Sequence, residues 1–195
     1  MTPERLDAQR VSGKADDKTD DKTDDAAALA ALADLADLAD LLVDTVDGGA
    51  SVGFLAPLAR ADALAWWRER AALAAAGHLA VWVVRADGTG RIVGTVTLAL
   101  PDKPNSRHRA ELVKLMVRRE ARGRGLGRLL LATAERAAAE SGLTLLHLDT
   151  ETGSPAERLY TAAGWTRAGT IPDYAADPTG VLRPTTLYYR RLPTG

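Results

Sequence analysis

Three glycines at alternate positions, Gly123, Gly125 and Gly127, stand between a run of apolar strand formers and a run of helix formers. A turn this free of side chains lets backbone N–H groups close around an anion at the start of a helix, where the helix dipole adds its own attraction. The chain must supply a strand before the turn, a helix after it and open space in front of it, which places it among folds that mix strands with helices. The flanking residues sharpen the point. Residues 118–128 hold five arginines in 11 positions, where the 20 arginines of the 195-residue chain would place about one by chance. Such a turn suits a pyrophosphate.

Two familiar phosphate-binding patterns are excluded by what the turn lacks. No Gly-Lys-Ser/Thr follows, so this is not a P-loop, and Arg128 stands where a G-x-G-x-x-G dinucleotide fingerprint starting at Gly123 needs its last glycine.

The rest of the chain organises around this turn. Residues 13–25 contain a DDKT repeat with almost nothing to bury and read as solvated, so residues 1–25 are expected to be an acidic, low-complexity, largely disordered segment ahead of a single domain over 26–195. The Leu-Ala-Asp repeat predicts a helix over 26–46, capped by Asp24 or Asp25 and stopped at Gly48-Gly49, and a second helix is expected over 60–76, with Leu64, Trp67 and Leu73 on one side. The period then changes to two. Residues 79–85 and 91–100 read as a hairpin, 110–117 as a strand, 125–140 as a helix, 143–148 as a strand, 155–163 as a helix, and 165–171 and 185–191 as closing strands separated by a Pro/Asp/Gly-rich loop. This order predicts an α/β fold with a mixed sheet flanked by helices.

Composition narrows the chemistry. There is no cysteine, which removes thiol nucleophiles, disulfides and Cys-ligated metals, and 37 of the apolar residues are alanine, which suggests closely packed helices. The three histidines, His78, His108 and His147, fit neither a triad order nor a metal spacing. Gly49-Ala-Ser51-Val-Gly53 matches a nucleophile elbow as a string, but a helix precedes it where the elbow needs a strand. The net charge of -1 hides an asymmetry, with 13 acidic and 5 basic residues in 1–50 against 13 and 20 in 51–195. A basic body points to an anionic partner. Residues 1–10 lack an apolar stretch behind a basic start, and no apolar run approaches the roughly 18 residues of a membrane span, so a cytoplasmic protein without membrane contact is expected.

Arg122-x-x-Gly125-x-Gly127 after a strand resembles the acetyl-CoA motif of the GNAT superfamily of N-acetyltransferases, Q/R-x-x-G-x-G/A. The resemblance covers residues 31–192, with 111–117 as the family's fourth strand, 145–149 as the fifth, and Ala156-x-x-Leu159-Tyr160-x-x-x-Gly164-Trp165 as its A-x-x-L-Y-x-x-x-G-F segment. Residues 148–154 and 160–188 look most like the tabtoxin-resistance group, which detoxifies a small amino-acid-like antibiotic. The resemblance implies a GNAT fold, a mostly antiparallel twisted sheet of six or seven strands with about four helices, splayed between the fourth and fifth strands. It implies acetyl-CoA as co-substrate without a metal, a small primary amine as acceptor, and a homodimer as one form of assembly. The amides of Gly123, Arg124, Gly125, Leu126, Gly127 and Arg128, with the Arg122 side chain, would hold the pyrophosphate. The backbone of Leu115, Met116 and Val117 would bind the pantetheine arm, and Ser154 would replace the Asn that the family often has where Gly153 stands.

Direct attack of an amine on a thioester needs a base for the amine, donors for the oxyanion and an acid for the leaving thiolate. Tyr160 matches the family's acid. Glu111, 11 residues before Arg122, and Asp149, ending the fifth strand 11 residues before Tyr160, both qualify as base, directly or through a water, or as the counter-charge for the substrate's ammonium. Trp66 and Trp67 on the second helix, Arg107, His108 and Arg109 ahead of Glu111, and Asp173 and Tyr174 after the sixth strand are further candidates around the acceptor. Two rival functions remain: a regulatory protein that binds acyl-CoA without turnover, and a nucleic-acid-binding module using the arginines. The second lacks every accompanying signature and carries an acidic front.

Overall fold

The computed structural model describes residues 1–7 and 21–193, and of residues 21–30 only the helical backbone. Strand β1 (Glu4–Arg5) is followed by helices α1 (Asp21–Asp47) and α2 (Arg60–Ala75), the hairpin β2 (Leu79–Arg85) and β3 (Ile92–Ala99), and β4 (Arg109–Val117). Then come α3 (Leu126–Glu140), β5 (Leu145–Glu151), α4 (Pro155–Ala162), β6 (Thr166–Ala176) and β7 (Leu182–Arg191). The seven strands form one sheet in the order β1-β2-β3-β4-β5-β7-β6, antiparallel throughout except where β4 meets β5.

Helices cover both faces. Leu38, Leu41, Leu42 and Val46 of α1 and Trp67 of α2 close over Val81, Val83, Ile92 and Met116. On the opposite face Leu126, Leu130, Leu131, Ala134 and Ala138 of α3 pack with Leu98, Leu112, Leu146, Leu148 and the aromatics Tyr160, Trp165 and Tyr188. Each fully buried leucine contributes about 1.5–3 kcal/mol relative to exposure. Gly94 lets α3 approach the sheet, since a Cβ there would stand 3.0 Å from Leu130 Cδ1 and 3.2 Å from the Met116 carbonyl oxygen.

The acidic front of the sequence becomes a latch. Aspartates on α1 meet arginines of the body: Asp34 pairs with Arg85 at 2.7 Å, Asp40 with Arg60 at 2.5 Å and Asp44 with Arg119 at 2.8 Å. Asp37 accepts from the Ile92 amide at 2.8 Å, while its carbonyl accepts from the buried Arg118 guanidinium at 3.0 Å. The three-residue spacing that puts leucine on the core side thus also puts carboxylates beside it.

Some expectations need correction. The buried stripe of α2 is Ala63, Trp67 and Ala71, while Leu73 is 39% exposed, because the i, i+4, i+8 row carrying Trp67 faces the sheet. The segment 1–25 carries structure at its ends, a strand at Glu4–Arg5 paired with β2 and a helix that begins at Asp21, while the DDKT tract before residue 21 lies outside the described residues. β6 and β7 reach further into the expected loop, leaving 177–181 as the connection. Pro172 is accommodated there because β6 is an edge strand.

Candidate active site

The one parallel contact in the sheet is short. β4 and β5 share three rungs, Arg109 with Leu145, Ala110 with Leu146 and Glu111 with His147, although β4 runs on to Val117 and β5 to Glu151. Beyond Glu111 the strands part, and the edge of β4 that faces β5 has no strand partner. A cleft of about 750 Å³ occupies the gap. Its walls are Leu115, Met116 and Val117 of β4, the glycine turn, residues 150–156 with Leu159, and Thr45 with residues 48–52 after α1.

The turn is built for positive φ. Gly123 and Gly125 sit at φ 76° and 77°, in the left-handed region, and Gly125 is the N-cap of α3. No acidic residue lies in the first turn of α3, so its free N–H groups face the cleft without a carboxylate competing. Of the five arginines, two are structural. Arg118 is buried and donates to the Ile92 carbonyl at 2.9 Å, and Arg119 pairs with Asp44. Arg122 and Arg128 line the cleft, Arg122 also donating to the Val117 carbonyl at 3.1 Å and Arg128 to that of Ala162 at 3.3 Å, while the exposed Arg124 side chain stands off the wall. Ser154 lines the cleft as the N-cap of α4, accepting from the Glu157 amide at 3.1 Å, while Glu157 accepts from the Gly153 amide in return.

Of the residues that the sequence offers for catalysis, Tyr160, Glu111 and Asp149 stand beside the gap and are not part of the cleft wall, Tyr160 in the core on the α3 side. Tyr160 is 5% exposed, its ring tilted against Trp165 and Tyr188 at centroid distances of 5.8 and 6.3 Å. Among the described residues its hydroxyl has no hydrogen-bond partner, and the buried polar atoms left unpaired are Trp67 Nε1 and Thr97 Oγ1, so this hydroxyl keeps contact with solvent. Burial, with the charge of Asp149 adding to it, pushes the phenol well above its ordinary range and keeps it protonated. Glu111 is half-buried on the last shared rung, and Asp149 is exposed on β5 beyond it. Alternate residues of these strands, Ala110, Leu112, Leu146 and Leu148, belong to the core under α3. Glu111, His147 and Asp149 therefore point to the α1/α2 face together.

Sequence reasoning missed two residues here. His147 lies opposite Glu111, and Arg109 Nη1 approaches its Nε2 at 2.6 Å. A guanidinium only donates, so Nε2 is the acceptor and the ring proton is on Nδ1. Burial pushes the imidazole down, with Arg109 adding to this against Glu111 and Asp149, so the neutral ring is favoured. Lys114 stands at φ 54° where the β3–β4 register shifts between Thr95 and Thr97. This bulge reverses the alternation of β4, so that Met116 faces α1 while Leu115 and Val117 turn to the other core. Trp66, Phe54 and Arg70 surround the Lys114 ammonium. Residues 49–52 of the Gly49–Gly53 string are cleft wall: both glycines have positive φ, and Ser51 lines the gap after a helix. Asp173 and Tyr174 lie on β6, and Tyr174 is exposed. Among the described residues no His, Cys, Asp and Glu group forms a metal site, and no helix is long and apolar enough to cross a membrane.

A mixed sheet split along one parallel pair, with a glycine turn and a helix N-terminus facing the split, is an arrangement that fits a phosphorylated ligand with an extended arm. The model of the Acetyltransferase (GNAT) family matches residues 43–165, and the chain belongs to that family. A phosphinothricin acetyltransferase from Sinorhizobium meliloti, solved with acetyl-CoA, superposes with a TM-score of 0.70 at 20% identity, covering 83% of this chain and 84% of that one. The yncA acetyltransferase of Salmonella typhimurium, also with acetyl-CoA, gives 0.67 at 22% identity over 84% and 91%. A ribosomal-protein-alanine N-acetyltransferase from Brucella melitensis gives 0.67 at 24% over 83% and 96%. These likenesses establish the fold.

Proposed function

We propose that the protein transfers the acetyl group of acetyl-CoA to the primary amine of a small molecule, an antibiotic or amino-acid-like toxin of the kind handled by the tabtoxin-resistance group, in the cytoplasm and without nucleic acid or membrane as partner. The observation that carries this reading is the unpaired β4 edge, which runs from the glycine turn toward Glu111. A pyrophosphate fits the N–H groups of the turn, and an arm with amide groups fits the open edge as an added strand would. When bound, acetyl-CoA supplies the activated acyl group.

The chain's residues supply the rest. Glu111 or Asp149, directly or through a water, takes a proton from the acceptor's ammonium and frees the nitrogen lone pair. The nitrogen forms its bond to the carbonyl carbon as the C–S bond breaks, with the electron pair leaving on sulfur. Tyr160 gives the sulfur its proton, the second proton on the acylated nitrogen passes to solvent to leave the neutral amide, and solvent reprotonates Tyr160. The test is calorimetry with acetyl-CoA followed by thiol release with a panel of amines, amino-acid-like antibiotics and peptide N-termini. Micromolar binding with turnover of a small amine supports the reading, binding without any turnover favours a regulatory acyl-CoA-binding protein, and no binding sinks both.

A further inference from the structure

The glycine turn hangs between two buried residues, Ala121 and Leu126, with 122–125 exposed. Ahead of it the Arg118 amide still donates to the Val93 carbonyl of β3, at 2.9 Å. The next amide leaves the sheet and finds its partner on another element: Arg119 N–H donates to the Asp44 carboxylate of α1 at 2.9 Å. The other oxygen of that carboxylate accepts from Arg119 Nε at 2.8 Å, so one side chain grips both the backbone and the guanidinium of the residue that opens the short 3-10 turn Arg119–Ala121. The Arg119 carbonyl then accepts from the Arg122 amide at 3.3 Å, which leads the chain into the glycines. Thr45 and Gly48, just after Asp44, belong to the opposing wall of the cleft. The two walls come so close here that a Cβ on Gly48 would stand 3.1 Å from Arg119 Cδ. Burial works against the Asp44 charge, and the bonds from the Arg119 amide and guanidinium outweigh it, holding the carboxyl below its ordinary range. Asp34, earlier on the same helix, pairs with Arg85 of β2 at 2.7 and 2.9 Å and is no part of the cleft wall.

We propose that Asp44 is a positioning residue for the glycine turn: by holding the Arg119 amide it sets the N–H groups of the turn at the distance from α1 that the pyrophosphate of CoA requires, without touching the ligand. This rests on acetyl-CoA being the ligand of the cleft. The role belongs to the contact with the amide. The ion pair is open to solvent on its arginine side and contributes little by itself, whereas a shift of about 1 Å misaligns every donor that the turn presents. The charge alone acts in the other direction, since a carboxylate near an anion site disfavours the anion. Position and charge therefore predict opposite signs when Asp44 is removed.

The test is calorimetry with CoA, which carries no acyl group and does not turn over, on the full chain and its variants, with thermal melting beside it. Asp44→Ala weakens CoA binding about tenfold. Asp44→Asn keeps an oxygen for the Arg119 amide, loses the charge and binds within about threefold of the wild type. Asp34→Ala loosens the same helix without reaching the turn and leaves the affinity unchanged. Arg119→Pro removes the amide donor itself at the first position of the 3-10 turn, where proline fits behind Arg118 at φ -50° and ψ 140°, and it weakens binding as Asp44→Ala does. This variant carries the test if melting shows Asp44→Ala to be unfolded. Affinity that is unchanged or tighter in a folded Asp44→Ala or Arg119→Pro overturns the proposal. So does equal weakening in Asp34→Ala, which marks a general loosening of α1, or in Asp44→Asn, which places the effect in the charge. Undiminished binding in the variants removes this inference and leaves the acetyl-CoA reading standing, whereas a wild type that binds no CoA removes both.

Discussion

At the scale of single residues, the site separates groups by the proton each is set to hold. Burial and the Asp149 charge hold the Tyr160 phenol protonated and make it a weaker acid than a free tyrosine. Tyr160→Phe keeps the ring contacts with Trp165 and Tyr188 and removes only the hydroxyl, so turnover falls by about 100-fold or more while acetyl-CoA affinity holds. Single-turnover thiol release beside calorimetry checks this, and unchanged turnover removes Tyr160 as the acid. Glu111 is a candidate in the sequence by its spacing to Arg122, Asp149 by its spacing to Tyr160 and Tyr160 by the segment around it, and alternation along β4 and β5 puts Glu111 and Asp149 on one face of the sheet. His147 and Lys114 were not legible there. Which face a strand residue occupies depends on the register and on the bulge, and the DDKT-free stretch around residue 114 gives no composition signal for a left-handed residue in a strand.

At the scale of elements, the strand, glycine turn and helix were readable because glycine and helix formers mark their positions by conformation alone. Gly125 shows how strictly. A Cβ there meets nothing within 4 Å, so the requirement is the positive φ itself and the closeness of whatever anion the turn holds. Gly125→Val puts a β-branched residue in the left-handed region at a cost of about 1–3 kcal/mol and crowds the anion, so acetyl-CoA binding weakens at least about tenfold. Circular dichroism establishes that the variant is folded, and a folded variant with normal affinity contradicts the role of the turn. The α2 stripe was misread for a related reason: helical periodicity permits two adjacent rows, and only the sheet beneath selects the one that carries Trp67. The two-residue strand β1 is too short for any pattern, and it exists because the β2 edge offers partners.

At the scale of the whole molecule, the acidic front and basic body turn out to be two sides of one contact, α1 against the sheet. Its carboxylates pair with Arg85, Arg60 and Arg119, which offsets part of the positive charge that the sequence places in the body. The sheet itself is held across its middle by three rungs, with β1 to β4 on one side and β5 to β7 on the other. Binding along the open β4 edge supplies hydrogen bonds to amides that otherwise exchange with solvent. Hydrogen exchange measured with and without acetyl-CoA therefore slows at residues 113–117 and in the glycine turn, and equal protection in both states rules out binding along this edge.

The split sheet also ties the enzyme's persistence to its surroundings. The two halves meet over three rungs and through the shared core under α3, and a ligand bound along the open β4 edge adds to that contact, so resistance to unfolding and proteolysis is expected to rise with its concentration. A rise in melting temperature on adding acetyl-CoA checks this, and an unchanged one contradicts it.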